Sequence, residues 1–123
     1  MLLEIQERQI QPDIVVVELS GKLALGRESQ RVEGLLHDLV NSGCKRLILE
    51  MTGVNYIDSA GVGLLALASG KMHESGGKVI LVAPAGRVLD VLKMTQLNRL
   101  VTVCASEDEA VAALGKTAPP ATA

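Results

Sequence analysis

Aromatic residues are almost missing from this chain: Tyr56 is its one tyrosine, and there is no phenylalanine or tryptophan among 123 residues. A core must therefore come from Leu, Val, Ile, Met and Ala, and at 48% hydrophobic residues the chain has enough for a single one. The same shortage argues against single-stranded nucleic-acid binding, which uses aromatic stacking platforms, and the net charge of −2 gives no sign of the basic face that duplex binding needs. Cysteine is scarce as well. Cys44 and Cys104 stand at no metal-ligand spacing, and His37 and His73 have no second ligand near them in sequence. The two histidines are expected to be structural or solvent-facing, and the two cysteines to be small core residues. No apolar run approaches the roughly 18 residues of a membrane span. The start, Met1-Leu2-Leu3-Glu4, lacks the basic region and apolar stretch of a secretory signal. These absences together point to a cytoplasmic protein with reduced thiols, no nucleic-acid partner and no membrane insertion.

What is present is an alternation of short apolar runs with helical patterns. Leu3, Ile5 and Glu7 open a first strand that ends near the Pro12-Asp13 turn signal. Ile14 to Leu19 is a β-branched run, so the two make a hairpin. Ser20-Gly21 ends it, and Lys22 to Gly26 reads as a loop that exposes Leu23 and Leu25. A helix follows over 27–42, with Val32, Leu35, Leu36, Leu39 and Val40 at helical spacing. Arg46 to Met51 is a buried strand, and the next helix spans 59–75 before the Gly76-Gly77 stop. Lys78 to Val82 and Leu100 to Val103 are further strands, and a short helix over 86–94 lies between them. Ser106 and Glu109 form a capping box for a last helix over 106–115. Residues 1–115 then form a single domain, and Lys116 to Ala123, with Pro119-Pro120, form a disordered tail. The fold class is α/β. Beyond the hairpin, continuously apolar strands alternate with helices, which implies a mixed, mostly parallel sheet with Arg46–Met51 inside it. Sites in such sheets gather beyond the carboxyl ends of the strands.

The stretch Asn55-Tyr56-Ile57-Asp58-Ser59-Ala60-Gly61-Val62-Gly63 lies at such an end. Asp58 and Ser59 are both good N-caps, so Ser59 belongs at or just inside a helix mouth. Gly61 and Gly63 are expected to leave first-turn amides uncovered, and a helix N-terminus favours anions. Two roles for Ser59 follow: a simple cap, or the carrier of a phosphoryl group. No His and Asp companions accompany Ser59 in a nucleophile-elbow motif, which argues against a hydrolase. Neither a P-loop nor a full dinucleotide fingerprint is present, so no cofactor, no metal and no catalytic residues are expected.

Gly21-x-Leu23, the helix and strand after it, Tyr56 to Gly63, and Gly76-Gly77-Lys78-Val79 together resemble the STAS domain of bacterial anti-sigma-factor antagonists. The resemblance runs from about Leu3 to Leu114 and is most specific at Asp58–Gly63. It implies the STAS fold, whose order of elements agrees with the one read above. It implies that Ser59 is the phosphoacceptor and that the partner is an anti-sigma factor, a serine kinase of histidine-kinase-like ATPase fold. That kinase binds the unphosphorylated form and releases the phosphorylated one, and a PP2C-type phosphatase reverses the mark. The partner surface would be Leu23, Ala24, Leu25, Asn55, Tyr56, Asp58, Ser59, Ala60, Gly61 and Val62. Three positions depart from the commoner family pattern: Ala60 replaces a second serine, and Lys22 and Ala24 replace acids of the first loop. With Arg27, Lys22 makes this loop more basic. The alternative within the same resemblance is an accessory subunit or scaffold of a transporter or signalling complex, with Ser59 only a cap.

Overall fold

Alternating polar and apolar residues make β1 (Glu4–Gln11) a two-faced strand, and the β-branched run after it makes β2 (Ile14–Leu23) a buried one. The computed structural model describes residues 3–115 except Pro12; the expected tail and the proline of the first turn lie outside the described residues. The chain continues through α1 (Arg27–Asn41), β3 (Arg46–Ile57), α2 (Ser59–Glu74), β4 (Lys78–Val82), α3 (Arg87–Met94), β5 (Thr102–Cys104) and α4 (Glu107–Gly115). One five-stranded sheet has the order β1-β2-β3-β4-β5. β1 runs antiparallel to β2, and every other pair is parallel. β3 is central, as its unbroken apolar start requires.

Both faces of the central strands are buried, and each has its own core. Val17, Leu19, Leu47, Leu49, Val79 and Leu81 pack on one face beneath residues of α1, α2 and α3. Ile14, Val16, Ile48, Ile80 and Val82 pack on the other face against Ala110 and Leu114 of α4. Neighbours such as Ile48 and Leu49 thus point to opposite cores, and each contributes roughly 1.5–3 kcal/mol by leaving water. Ser106 caps α4 by accepting from the Glu109 amide at 3.2 Å, and the Glu109 carboxylate accepts from the Ala105 amide at 3.1 Å. The expected box is present, with its return bond one residue earlier than Ser106.

The four helices lie within a residue of their expected bounds, but two strands run further than expected. β2 continues through Ser20-Gly21 to Leu23, and β3 continues past Met51 to Ile57. Gly21, at φ 107°, adopts a backbone that disfavours other residues, and the register shifts between it and Lys22. Within β3, β4 pairs only with Arg46–Glu50, and β1 reaches along β2 only to Ser20, so from Gly21 and Val54 onward β2 and β3 project as a two-stranded ribbon. In the ribbon Lys22 lies opposite Tyr56 and Leu23 opposite Ile57. The last strand is also displaced: Leu97–Arg99 form a 3-10 turn, and β5 begins at Thr102 rather than Leu100. Leu97 and Val101 take the core positions there, which leaves Leu100 exposed.

Candidate functional site

The ribbon brings the β2–α1 loop and the β3–α2 turn together, and Asp58 joins them. Asp58 is the N-cap of α2: its Oδ1 accepts from the Gly61 amide at 2.9 Å. Its Oδ2 accepts from the Leu25 amide at 3.1 Å. A single carboxylate therefore closes the helix and fastens the neighbouring loop to it. The Gly61 amide above all, with help from the Leu25 amide, holds the Asp58 carboxyl below its ordinary range, against the opposing effect of desolvation.

With Asp58 in the cap position, Ser59 is the first residue of α2 and is exposed. Its hydroxyl makes no hydrogen bond among the described residues. Of the two roles open to Ser59, capping thus belongs to its neighbour.

Two expectations need correction. Leu23, expected to be exposed beside Leu25, is fully buried. Gly61, expected to offer its amide and its surface, is buried, and its amide is held by Asp58. Both follow from one packing event, the docking of α2 on the end of β2. A Cβ added to Gly61 would lie 2.5 Å from the Leu23 carbonyl oxygen and 2.8 Å from Ile57 Cγ1. Only glycine lets the two backbones approach this closely. Neither residue presents a side chain to a partner.

The other residues expected to form a partner surface reach solvent on this end of the molecule. Leu25, Asn55, Tyr56 and Ser59 are exposed, and Ala24, Asp58, Ala60 and Val62 are half-buried. Leu25 is 81% exposed, too much for a core residue. Tyr56 rims this face rather than plugging the core, and Lys22 Nζ sits 5.8 Å from its ring centroid. Such a cation–π contact contributes about 0.5–1 kcal/mol at an exposed site. Sequence reasoning missed Leu67, which is 48% exposed, and the groove it shares with Leu25 and Gly63 beside Ala60. The signal was there in the spacing of Ser59, Gly63 and Leu67, four apart on one helix side.

His37 and His73 are exposed, and among the described residues no three His, Cys, Asp or Glu side chains are grouped to hold a metal. Cys44 and Cys104 are free and partly buried, and burial pushes both thiols up. No described helix is long and apolar enough to cross a membrane.

A family model described as the STAS domain matches residues 6–110. The chain belongs to the STAS family. A Thermotoga maritima protein named as an anti-sigma factor antagonist is 26% identical to this STAS domain over 103 residues, 84% of this chain and 91% of that one. The crystal structure of an anti-sigma factor antagonist from Mycobacterium paratuberculosis matches with a TM-score of 0.83 at 18% identity, over 92% of this chain and 94% of its own. A sulfate transporter family protein from Wolinella succinogenes matches with a TM-score of 0.72 at 22% identity, over 89% of this chain and 90% of its own. At those identities the two structures establish a shared fold. The fold is the STAS fold: a mixed sheet with one antiparallel pair at its start, and helices on both faces.

Proposed function

We propose that this STAS domain is a phospho-regulated anti-sigma-factor antagonist. It binds an anti-sigma factor that is itself a serine kinase, and phosphorylation at Ser59 releases it. The observation that carries this reading is the Ser59 hydroxyl, exposed and unbonded at the mouth of α2 while Asp58 does the capping. The name borne by the Thermotoga relative supports the anti-sigma part. In the transfer step, Ser59 Oγ attacks the γ-phosphorus of ATP held by the kinase. The new Oγ–P bond forms as the bond from the γ-phosphorus to the bridging oxygen of ADP breaks, ADP leaves, and the hydroxyl proton passes to a base of the kinase or to water.

The unmodified face is small and neutral at Ser59, so a partner can pack closely against Ala60, Val62 and Leu25. A phosphoserine adds about −1.5 to −2 of charge. Within the domain, the first turn of α2 tolerates that charge. At a closed interface the same charge is desolvated and stands beside Asp58, so binding is lost without unfolding. The domain itself performs no catalysis; the kinase and an opposing PP2C-type phosphatase do the chemistry, in the cytoplasm.

The test is incubation with candidate histidine-kinase-like ATPases and ATP, followed by mass-spectrometric mapping of the phosphate. Phosphate on Ser59, and none on the Ser59→Ala variant, is the expected result. Phosphate on other residues only, or none from any such kinase, overturns it. The transporter likeness motivates a second reading, an accessory domain with an unmodified Ser59. Neighbouring genes separate the two: a kinase and phosphatase pair favours the first, transporter genes the second.

A further inference from the structure

The side of α2 that carries Ser59 continues down the helix through Gly63 and Leu67, both exposed. Beside them α1 and α2 leave a groove in two halves. Glu33, Leu64 and Leu67 line the upper half, next to Ala60, and the lower half, which ends at Lys71. The two halves thus meet at these three residues. The upper wall of the groove is Leu25, one of the most exposed large apolar side chains of the described residues. Gly63 keeps it open: a Cβ built there would meet nothing within 4 Å. A helical glycine costs about 1 kcal/mol relative to alanine. No packing constraint accounts for this one, whereas Gly61, two residues earlier, is fixed by contact with Leu23. Glu33 rims both halves and makes no ion pair among the described residues.

We infer that this groove is the anchor pocket of the anti-sigma interface. It takes an aliphatic or aromatic side chain of the kinase, carried next to a Lys or Arg that pairs with Glu33. The inference rests on the function proposed above. The upper half, with Glu33 as the one charged side chain among its lining residues, fits an apolar anchor flanked by a base, while His37 and Lys71 line only the lower half; in such an arrangement a few buried side chains carry most of the affinity. A phosphate on Ser59, one turn above Gly63, stands at the groove mouth. It keeps the walls hydrated and opposes entry of the anchor. Ser59 then decides whether the partner binds, and the groove decides which partner.

The probe is the purified histidine-kinase-like anti-sigma factor, titrated calorimetrically against the unphosphorylated domain and its variants. Gly63→Leu fills the groove from a position with open space, and should weaken binding at least tenfold while melting no lower than wild type. Glu33→Lys should weaken binding several-fold. Gly34→Leu, on α1 at another glycine with open space and off the groove lining, should bind like wild type. Wild-type affinity in both Gly63→Leu and Glu33→Lys overturns the pocket, and a weak Ser59→Asp variant in the same series then leaves the switch standing. Equal losses in Gly63→Leu and Gly34→Leu also overturn it. Self-association of the wild type that Gly63→Leu abolishes assigns the groove to a second copy of the chain instead. A kinase that binds no unmodified wild type overturns both the pocket and the proposed function.

Discussion

At the scale of single residues, Asp58 does more than its place in a sequence motif implies. Its two oxygens serve two backbone amides, Gly61 on α2 and Leu25 on the preceding loop. Replacing it with Asn leaves one acceptor for two donors. Asp58→Asn should cost roughly 1 kcal/mol at pH 7, the scale of a lost cap interaction, and should slow phosphorylation of Ser59 by freeing the loop. The pH dependence has a definite sign. The carboxyl is held below its ordinary value in the folded state, chiefly by the Gly61 amide, so as pH falls the unfolded chain takes up the proton first. The stabilisation is therefore complete above the unfolded value of about 3.9 and is lost as pH falls through the lower folded value. Urea unfolding of wild type and Asp58→Asn at pH 7 and pH 3 should show a gap that narrows in acid. A gap of constant size would mean that the charge contributes nothing.

At the scale of elements, the two glycines of the α2 start give opposite predictions. Gly61→Ala drives a methyl group into the Leu23 carbonyl and Ile57, and overpacking of that kind costs roughly 1–3 kcal/mol. Gly63→Ala meets open space and should gain up to about 1 kcal/mol from helix propensity. Guanidinium midpoints that move the same way for both would contradict the close docking of α2 on β2. The sequence made the helices readable, because their apolar residues repeat at helical spacing and their ends carry Asp58, Ser106 and Gly76-Gly77. The strand ends were not readable. Ser20-Gly21 and Thr52-Gly53 carry turn signals, yet they lie inside β2 and β3, which pair with each other there, and a Cβ on Gly53 would come 2.5 Å from Ser20 Oγ. The burial of Leu23 was hidden for the same reason, since it depends on a helix that arrives 36 residues later in the chain, at Ser59. Asp58 and Ser59 are equally good caps by type; the Leu25 amide, a distant donor, is what distinguishes them.

At the scale of the whole molecule, α4 is the one helix among the described residues that packs on the second face of the sheet. Leu114 is fully buried there, and Arg8 ties the first turn of α4 to the sheet, through Glu107 at 2.8 Å and Glu18 at 2.9 Å. Leu114→Ala should cost roughly 2–5 kcal/mol in chemical denaturation. Arg8→Ala should cost no more than about 1 kcal/mol for each half-exposed pair. A larger loss from Arg8→Ala than from Leu114→Ala would mean that the ion pairs, and not the apolar contacts, hold α4 in place. All of this scaffold lies on the face of the sheet away from α2, so the proposed switch would act on a domain that stays folded. The most direct measurement is a calorimetric titration of four forms against the purified anti-sigma kinase: unmodified wild type, phosphorylated wild type, Ser59→Ala and Ser59→Asp. Ser59→Ala should match unmodified wild type, Ser59→Asp should bind well below both because it carries about half the charge, and the phosphorylated form should bind weakest. Equal affinity of the unmodified and phosphorylated forms would contradict the switch.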